Sequence, residues 1–377
     1  MSAPVSPPWA SVRPARVEAV QALGLTARQA RFLVHVLVFS GVFLERQYCR
    51  FAGIAHGQQS HDFVARLIAR GFVTPITPGS VRRGRLYHVQ HKPLYEAIGE
   101  PDNRHRKPAT VGRLIRRLML LDAVLSDDRY HWLGTERDKF HYFDTVLKRD
   151  IPADWYPHLA FGEAPTQTLR LFPEKLPIGV EKHGYRRHVF LYLATRPHPW
   201  DYRLFLLRHV SLLKGLPEWR IRVLLPRRLR KAKALYHGAF LDQLVRTLDP
   251  WVVEQLLVFF KACRTGGGHV SAPVDPYLAT VYQRFGAIRF RALYRTWRRL
   301  GDIATGSIAH GMLIRDAYQR GEGGVEYQEL RRQYLQLTAL IAHDHGPRRG
   351  DKRRTRAVVP LFDDAPPSDP PTALVTP

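Results

Sequence analysis

The chain has 377 residues, 45% of them hydrophobic, which is enough to form the cores of roughly two or three domains. Lys and Arg number 58 against 33 Asp and Glu, so the net charge at pH 7 is +25. Because the acidic residues cannot neutralise this excess internally, the composition favours an anionic partner, and a phosphate backbone is the usual one. The alternative is an Arg-rich protein whose charge serves solubility alone.

The cysteines and the apolar segments indicate the compartment. The two cysteines, Cys49 and Cys263, cannot build a disulfide framework and fit a reducing environment. Residues 1–10 lack the apolar segment of a secretory signal, and the most apolar stretch, residues 32–44, is too short to cross a bilayer. We therefore expect a cytoplasmic protein that makes no membrane contact.

The N-terminal part of the chain divides into an arm and a periodic block. Residues 1–20 hold four prolines and predict a flexible arm, whereas residues 21–98 show regular apolar spacing. Within the block, Thr26 and Gln29 have the spacing of a capping box. They predict a helix with one apolar face that ends at Gly41.

Two more helices and a hairpin follow in the same block. A short helix is predicted over 44–51, and a longer one over 58–70 with Gly71 after its C-terminus. A basic, Gly-flanked turn at 79–85 then leads into a strand at 86–89. Three helices followed by a hairpin with arginines at its tip predict a winged helix-turn-helix. The residues expected to face inward from the third helix are Val64, Leu67 and Ile68.

The winged helix layout assigns DNA contacts to two elements. The third helix can lie in the major groove and reach base edges, and the hairpin tip can contact phosphates or the minor groove. The alternative is a winged helix that contacts proteins, but the arginines of the hairpin favour DNA, with Asp62 the one opposing charge. The predicted DNA-binding residues are Gln58, Gln59, His61 and Arg66 on the helix and Arg82, Arg83 and Arg85 on the hairpin.

Residues 99–165 are predicted to form a linker and connecting helices. A polar, basic start is followed by leucines at helical spacing over 110–125. Residues 132–144 mix aromatic and charged side chains and predict a helix with an aromatic inner stripe. Four residues there have the chemistry of metal ligands, but a solvated polar face is the preferred interpretation. They are Glu136, Asp138, His141 and Asp144.

Residues 166–247 alternate short strands with helices. The order β-β-α-β-α is that of a restriction-endonuclease-like core, and the alternative is an unrelated α/β domain. The predicted strands are 169–180 (interrupted), 188–194 and 219–225, and the predicted helices are 200–214 and 227–245.

Over residues 25–245 the chain resembles the replication-relaxation family of bacterial plasmids and mobile elements. The resemblance implies a winged helix followed by a nuclease-like core, with Pro-Asp before one strand and Glu-x-Asp or Glu-x-Lys on the next. Here Pro173-Glu174 stands at the first position, and residues 190–194 hold no carboxylate or lysine. Because metal-dependent cleavage needs at least two carboxylates converging on Mg²⁺, we expect a degenerate core in which Glu174 is an ordinary surface carboxylate.

The C-terminal part is predicted to be a helical region over 248–345, followed by a disordered tail over 346–377 that is basic and then acidic. The helix predicted at 289–300 has an apolar stripe and an arginine-rich outer face. That face is a second candidate phosphate-contacting surface, and the alternative is a solvated basic face. Its arginines are Arg291, Arg295, Arg298 and Arg299.

The sequence thus predicts an α/β protein, α+β overall, that binds double-stranded DNA without catalysis. The resemblance implies a bacterial, nucleoid-associated protein that acts in the replication, transfer or transcriptional control of a plasmid or mobile element. No cofactor, catalytic residue or metal site is predicted. One alternative is a metal-dependent DNA nuclease with Glu174 as a ligand, and another is an adaptor that bridges DNA to a partner complex through the helical C-terminal region. A homodimer is the assembly we consider.

Overall fold

The fold is a mixture of helices and sheets, which confirms the predicted mixed α/β class. The predicted tail over 346–377 and the hairpin arginines Arg82 and Arg83 lie outside the described residues. The computed structural model describes residues 6–76, 85–147, 151–161, 168–246, 248, 250–265, 280, 284–300, 311–332 and 334.

The N-terminal block consists of short helices around a small antiparallel sheet. Its elements are α1 (Pro14–Gln21), α2 (Ala27–Phe39), β1 (Val42–Leu44), α3 (Glu45–Ala52), α4 (Gln58–Ala69), β2 (Val73–Pro75), β3 (Leu86–Val89) and α5 (Lys92–Ala97). The strands lie in the order β1-β3-β2. The predicted capping box opens α2, where Gln29 N donates to Thr26 Oγ1 at 3.3 Å and Thr26 N donates to Gln29 Oε1 at 3.2 Å. Helix α2 is the centre of the block because nine of its 13 residues are buried.

The sequence predicted a flexible arm over residues 1–20. In the structure, helix α1 instead begins at Pro14 and packs against α2. The arm is held by a buried ion pair, since Arg16 NH1 lies 2.7 Å from Asp138 Oδ2. Ser11 Oγ donates to the same carboxylate oxygen at 2.6 Å. Prolines suggested flexibility, but Pro14 occupies the first turn of a helix, where its missing N–H costs nothing.

A five-stranded sheet forms the centre of the molecule. Its strand order is β10-β9-β8-β7-β4, with β8, β9 and β10 parallel and β8, β7 and β4 antiparallel. The crossover between β8 and β9 is α8, which has the predicted bounds. The ranges are β4 (Tyr130–Leu133), β7 (Ile178–Glu181), β8 (Arg187–Leu193), α8 (Trp200–Lys214), β9 (Glu218–Pro226) and β10 (Gly323–Leu330).

Two of the strands lie where helices were predicted. Strand β4 overlaps the start of the predicted helix over 132–144 at residues 132 and 133, and β10 falls within the predicted helical region over 248–345. Strand β4 pairs antiparallel with β7, and β10 pairs in parallel with β9 through all eight of its residues. Both strands gain their stability from long-range pairing, so the local sequence pattern did not reveal them.

The other elements connect or cover the sheet. Helices α10 and α11 pack against α8 in a separate hydrophobic cluster, and α12 packs against β10. None of the helices in the described part of the chain has the length and apolarity needed to cross a lipid bilayer. The ranges are α6 (Val111–Leu125), α7 (Glu136–His141), β5 (His158–Phe161), β6 (Thr168–Leu171), α9 (Lys233–Phe240), α10 (Pro250–Thr265), α11 (Ile288–Leu300) and α12 (Gly311–Gln319).

Candidate nucleic-acid interface

Helix α4 has one buried face and one exposed polar face. Ser60, Phe63, Val64 and Leu67 are buried at helical spacing, which turns the opposite side of the helix to solvent. Ile68, which we predicted to face inward, is instead 37% exposed. The exposed polar residues are Gln58, Gln59, His61, Asp62 and Arg66, so the structure brings the four predicted contact residues of this helix to one surface.

The one acidic residue of that surface is engaged by a neighbour. Gln58 Nε2 donates to Asp62 Oδ1 at 2.7 Å across one turn of α4. This hydrogen bond satisfies part of the carboxylate and orders both side chains before any ligand arrives. Arg66, one turn further along the helix, is exposed. The surface therefore offers amide, imidazole and guanidinium groups, which are the types that hydrogen-bond to base edges and phosphates.

The β2–β3 hairpin follows α4 directly and carries Arg85 at the start of its returning strand. Arg85 is exposed and lies beside the buried Tyr87. Burial and the carboxylate of Glu45 raise the pKa of the Tyr87 hydroxyl, and the guanidinium of Arg85 acts in the opposite direction. Arg85, Tyr87 and Glu45 are thus electrostatic neighbours, and the described base of the hairpin stands next to α3.

A cluster that the sequence analysis did not single out lies at the same end of α4. Glu45, in the first turn of α3, lies between His56 and His61, with 3.4 Å from His56 Nε2 to Glu45 Oε2 and 3.4 Å from His61 Nε2 to Glu45 Oε1. The two imidazole rings are 4.9 Å apart. The spacing of these residues in the sequence follows no common metal motif, so only the turn between α3 and α4 brings them together.

The position expected to hold a nuclease carboxylate is closed. Glu174 was predicted to be a surface carboxylate, but its side chain is only 7% exposed and forms an ion pair with Arg208 of α8. The cavity beside it also borders Lys139 and His209 and has a volume of about 10 Å³, which is space for about one water molecule. No phosphodiester fits there.

The groups around Glu174 have shifted pKa values because they are buried. Burial lowers the pKa of Lys139 to about 7, although Glu174 acts in the opposite direction. Burial also lowers the pKa of His209 to about 4. Lys139 Nζ donates to the carbonyl of Leu176 at 2.7 Å, so its role here is to satisfy the backbone after β6. The arrangement is that of a packed core with internal polar contacts.

Two of the three acidic residues of 132–144 with the chemistry of metal ligands have long-range structural partners. Asp138 pairs with Arg16, and Glu136 Oε1 accepts a hydrogen bond from the backbone N of Leu171 at 2.8 Å. Within the described residues, Glu45, His56 and His61 form the one group of three whose ligand atoms all lie within 4.8 Å of one another. In the part of the chain that the structure describes, the best-grouped candidate metal ligands are therefore on the N-terminal block.

The second basic surface lies on α11. Arg291, Arg295 and Arg298 are exposed, while the side chain of Arg299 lies outside the described residues. Arg291 Nε donates to a backbone carbonyl at 3.1 Å, and the guanidinium of Arg295 lies 5.9 Å from the ring of Trp200. The predicted outward orientation of these three arginines is confirmed by their exposure. Their contact with DNA stays a prediction.

Comparisons with protein-family models, with curated proteins and with solved structures find no match to this chain.

Proposed function

We propose that the protein binds double-stranded DNA through a winged helix formed by α2, α3, α4 and the β2–β3 hairpin. In this proposal it acts without catalysis in the replication, transfer or transcriptional control of a plasmid or mobile element. The observation that carries the proposal is the face of α4, where Gln58, Gln59, His61 and Arg66 are all exposed opposite a fully buried face. The sheet order β1-β3-β2 and the hairpin that follows α4 support the same assignment.

The physical fit to DNA follows from size and charge. The major groove of B-DNA is about 12 Å wide and admits one α-helix such as α4. The hairpin that follows α4 can reach the DNA backbone beside that groove. A net charge of +25 supplies the sequence-independent attraction to phosphates. Amide side chains such as Gln58 and Gln59 can read adenine, and Arg66 can read guanine or hold a phosphate.

A nuclease function has less support than DNA binding. Glu174 is paired with Arg208, and the cavity beside it holds about one water molecule. Metal-dependent cleavage needs a second carboxylate and open space for the scissile phosphate. We therefore propose that the central sheet serves as a scaffold for the DNA-binding block.

An adaptor role would use the C-terminal helices. Trp251 and Val258 of α10 are 51% and 45% exposed, and Ile288 of α11 is 58% exposed. Exposed apolar side chains of this size are typical of protein-binding surfaces when they form a contiguous patch. This role is compatible with DNA binding by the N-terminal block, and a homodimer is one assembly that such a surface can support.

The test measures the affinity of the protein for a labelled mixed-sequence duplex at a series of salt concentrations. Fluorescence anisotropy of the duplex reports the binding. Replacing Arg82, Arg83 and Arg85 together with Ala should reduce the slope of log affinity against log salt by roughly 0.9 for each phosphate that these arginines neutralise in the wild type. Arg66→Ala should weaken binding by about 1–3 kcal/mol if Arg66 reads a base. Arg186→Ala, at an exposed hairpin of the central sheet, is the matched control and should leave both quantities unchanged.

Two results would contradict the proposal. One is the absence of any binding at low salt. The other is wild-type affinity and wild-type salt dependence in both the hairpin variant and the Arg66→Ala variant. A parallel incubation with supercoiled plasmid and Mg²⁺ separates the functions, since binding without nicking supports a DNA-binding scaffold. Nicking that disappears in Glu174→Ala would instead establish the nuclease.

A further inference from the structure

The cluster of Glu45, His56 and His61 has the chemistry of a transition-metal site. Two imidazoles and one carboxylate are a ligand set that zinc uses in proteins, with water in the fourth position. When ligand atoms lie 2.0–2.1 Å from a tetrahedral ion, they are about 3.4 Å from one another. Glu45 Oε2 lies 3.4 Å from His56 Nε2, and Glu45 Oε1 lies 3.4 Å from His61 Nε2. One ligand atom from each of the three residues lies within 4.8 Å of the other two, so a modest side-chain adjustment would bring all three onto one ion.

A buried side chain orients the carboxylate of this cluster. Ser60 is fully buried, and its Oγ donates to Glu45 Oε1 at 2.6 Å. The backbone N of Gly57 donates in turn to Ser60 Oγ at 3.2 Å, which ties the turn before α4 to the same network. Groups that hydrogen-bond to a ligand from outside hold it in position and strengthen metal binding. Glu45 is therefore positioned before any ion binds.

The exposure of the three side chains fits an ion that enters from solvent. The imidazoles of His56 and His61 are 58% and 53% exposed, whereas the Glu45 side chain is 14% exposed. An ion held here has the protein on one side and an open coordination position on the other. The three ligands come from the start of α3, the turn and the first turn of α4, so one ion would cross-link both helices.

We propose that Glu45, His56 and His61 bind one divalent transition-metal ion of the zinc class and that this ion strengthens DNA binding by fixing α4 against α3. The metal site stands on its own geometry, whereas the coupling to DNA rests on the proposed function. The ion also replaces a local negative charge with a positive one, which favours an approaching phosphate backbone. His61 then serves as a metal ligand, and the proposed base contacts are left to Gln58, Gln59 and Arg66.

The first test measures zinc binding to the full chain after treatment with a chelator, by isothermal titration calorimetry with ZnCl₂. We expect one ion per chain, with binding at least about tenfold weaker in His56→Ala and in His61→Ala. Both side chains are more than half exposed, so the variants should fold, and circular dichroism checks this. His183→Ala, at an exposed turn of the central sheet, is the matched control and should bind zinc as the wild type does.

The second test measures affinity for the labelled mixed-sequence duplex with zinc and with the chelator. We expect zinc to raise the affinity of the wild type and of His183→Ala by about 5- to 150-fold, and to have no effect in His56→Ala. By linkage, the duplex should raise the affinity for zinc by the same factor. This reciprocity distinguishes a coupled site from zinc that merely aggregates protein and DNA.

Each failure has its own meaning. Zinc binding that is absent, or unchanged in both histidine variants, overturns the metal site and leaves Glu45 as a simple charge partner of the two histidines. Zinc binding at the site without an effect on DNA affinity overturns the coupling and leaves the DNA-binding function intact. A wild-type chain that binds zinc but never binds DNA overturns the coupling together with the proposed function, while calorimetry still supports the metal site.

Discussion

Replacing Asp138 with Ala should destabilise the protein, because it leaves a buried arginine without its counter-charge. The side chains of Arg16 and Asp138 are 3% and 4% exposed, and Arg16 NH1 lies 2.7 Å from Asp138 Oδ2. Arg13 NH1 lies 3.2 Å from the other carboxylate oxygen, and Ser11 Oγ donates to the first at 2.6 Å. Asp138 is therefore the point at which the N-terminal residues attach to α7.

The magnitude follows from what remains around Arg16. Removing one partner of a buried ion pair costs about 3–5 kcal/mol. Arg16 keeps hydrogen bonds to the carbonyls of Ile98 at 2.8 Å and Ser11 at 3.0 Å, and Glu100 lies 3.5 Å away. Because these contacts remain, we expect Asp138→Ala to lower the free energy of unfolding by about 3 kcal/mol, the lower end of that range. Asp138→Asn keeps the shape and loses the charge, so its loss should be smaller.

The assay is urea unfolding followed by circular dichroism. Asp128→Ala is the control, since Asp128 is exposed and should change the free energy of unfolding by no more than about 0.5 kcal/mol. Replacing both partners, with Arg16→Met and Asp138→Leu, should recover much of the loss because no buried charge is left. A loss below about 1 kcal/mol in Asp138→Ala would refute the reasoning, since an uncompensated buried charge costs more than that.

Two further predictions concern the sheet and the pH dependence. Gly323→Ala should cost about 1–3 kcal/mol in urea unfolding, because its Cβ would lie 2.4 Å from Trp219 Cζ2, whereas Gly324→Ala meets no atom closer than 3.7 Å and should be tolerated. His209 has its pKa lowered by burial from 6.5 to about 4, so between these values the unfolded chain binds a proton that the folded chain does not. His209 should therefore make the free energy of unfolding fall as pH drops through this window, by up to about 1.4 kcal/mol per pH unit from this one group, and His209→Phe should remove that contribution. An unchanged slope would show that His209 does not stay neutral in the folded chain.

The sequence predicted best the elements that local signals define. Thr26 and Gln29 form the expected capping box, and Gly71 has a φ of +68° directly after α4, where a left-handed residue ends a helix. Helix α8 has the predicted bounds because its apolar residues recur at helical spacing. Each of these signals lies within a few residues of the structure that it specifies, so no distant partner is needed.

The features that the sequence did not predict depend on distant partners. Strand β10 is stable because it pairs with β9, and Gly323 allows it to approach Trp219 closely. The attachment of the N-terminal residues depends on Asp138, which looked like one charged residue on a solvated face. His61 is a predicted DNA contact, but its neighbour Glu45 comes from another helix, and only the folded turn brings the two together.

The N-terminal block and the central sheet share one hydrophobic core, which ties the position of α4 to the sheet. Val189, Leu191 and Leu193 of β8 belong to the same buried cluster as the apolar side chains of α2 and α6. Contact between the two parts is close, since a Cβ on Gly134 would lie 2.2 Å from Val38 Cγ1 of α2. Because α2 supports α3 and α4, the sheet supports the surface that we propose for DNA binding. The role that we infer for the sheet is therefore to fix the position and rigidity of α4. Substitutions on the face of β8 that packs toward α2 should weaken DNA binding, although these residues do not contact DNA in the proposed complex.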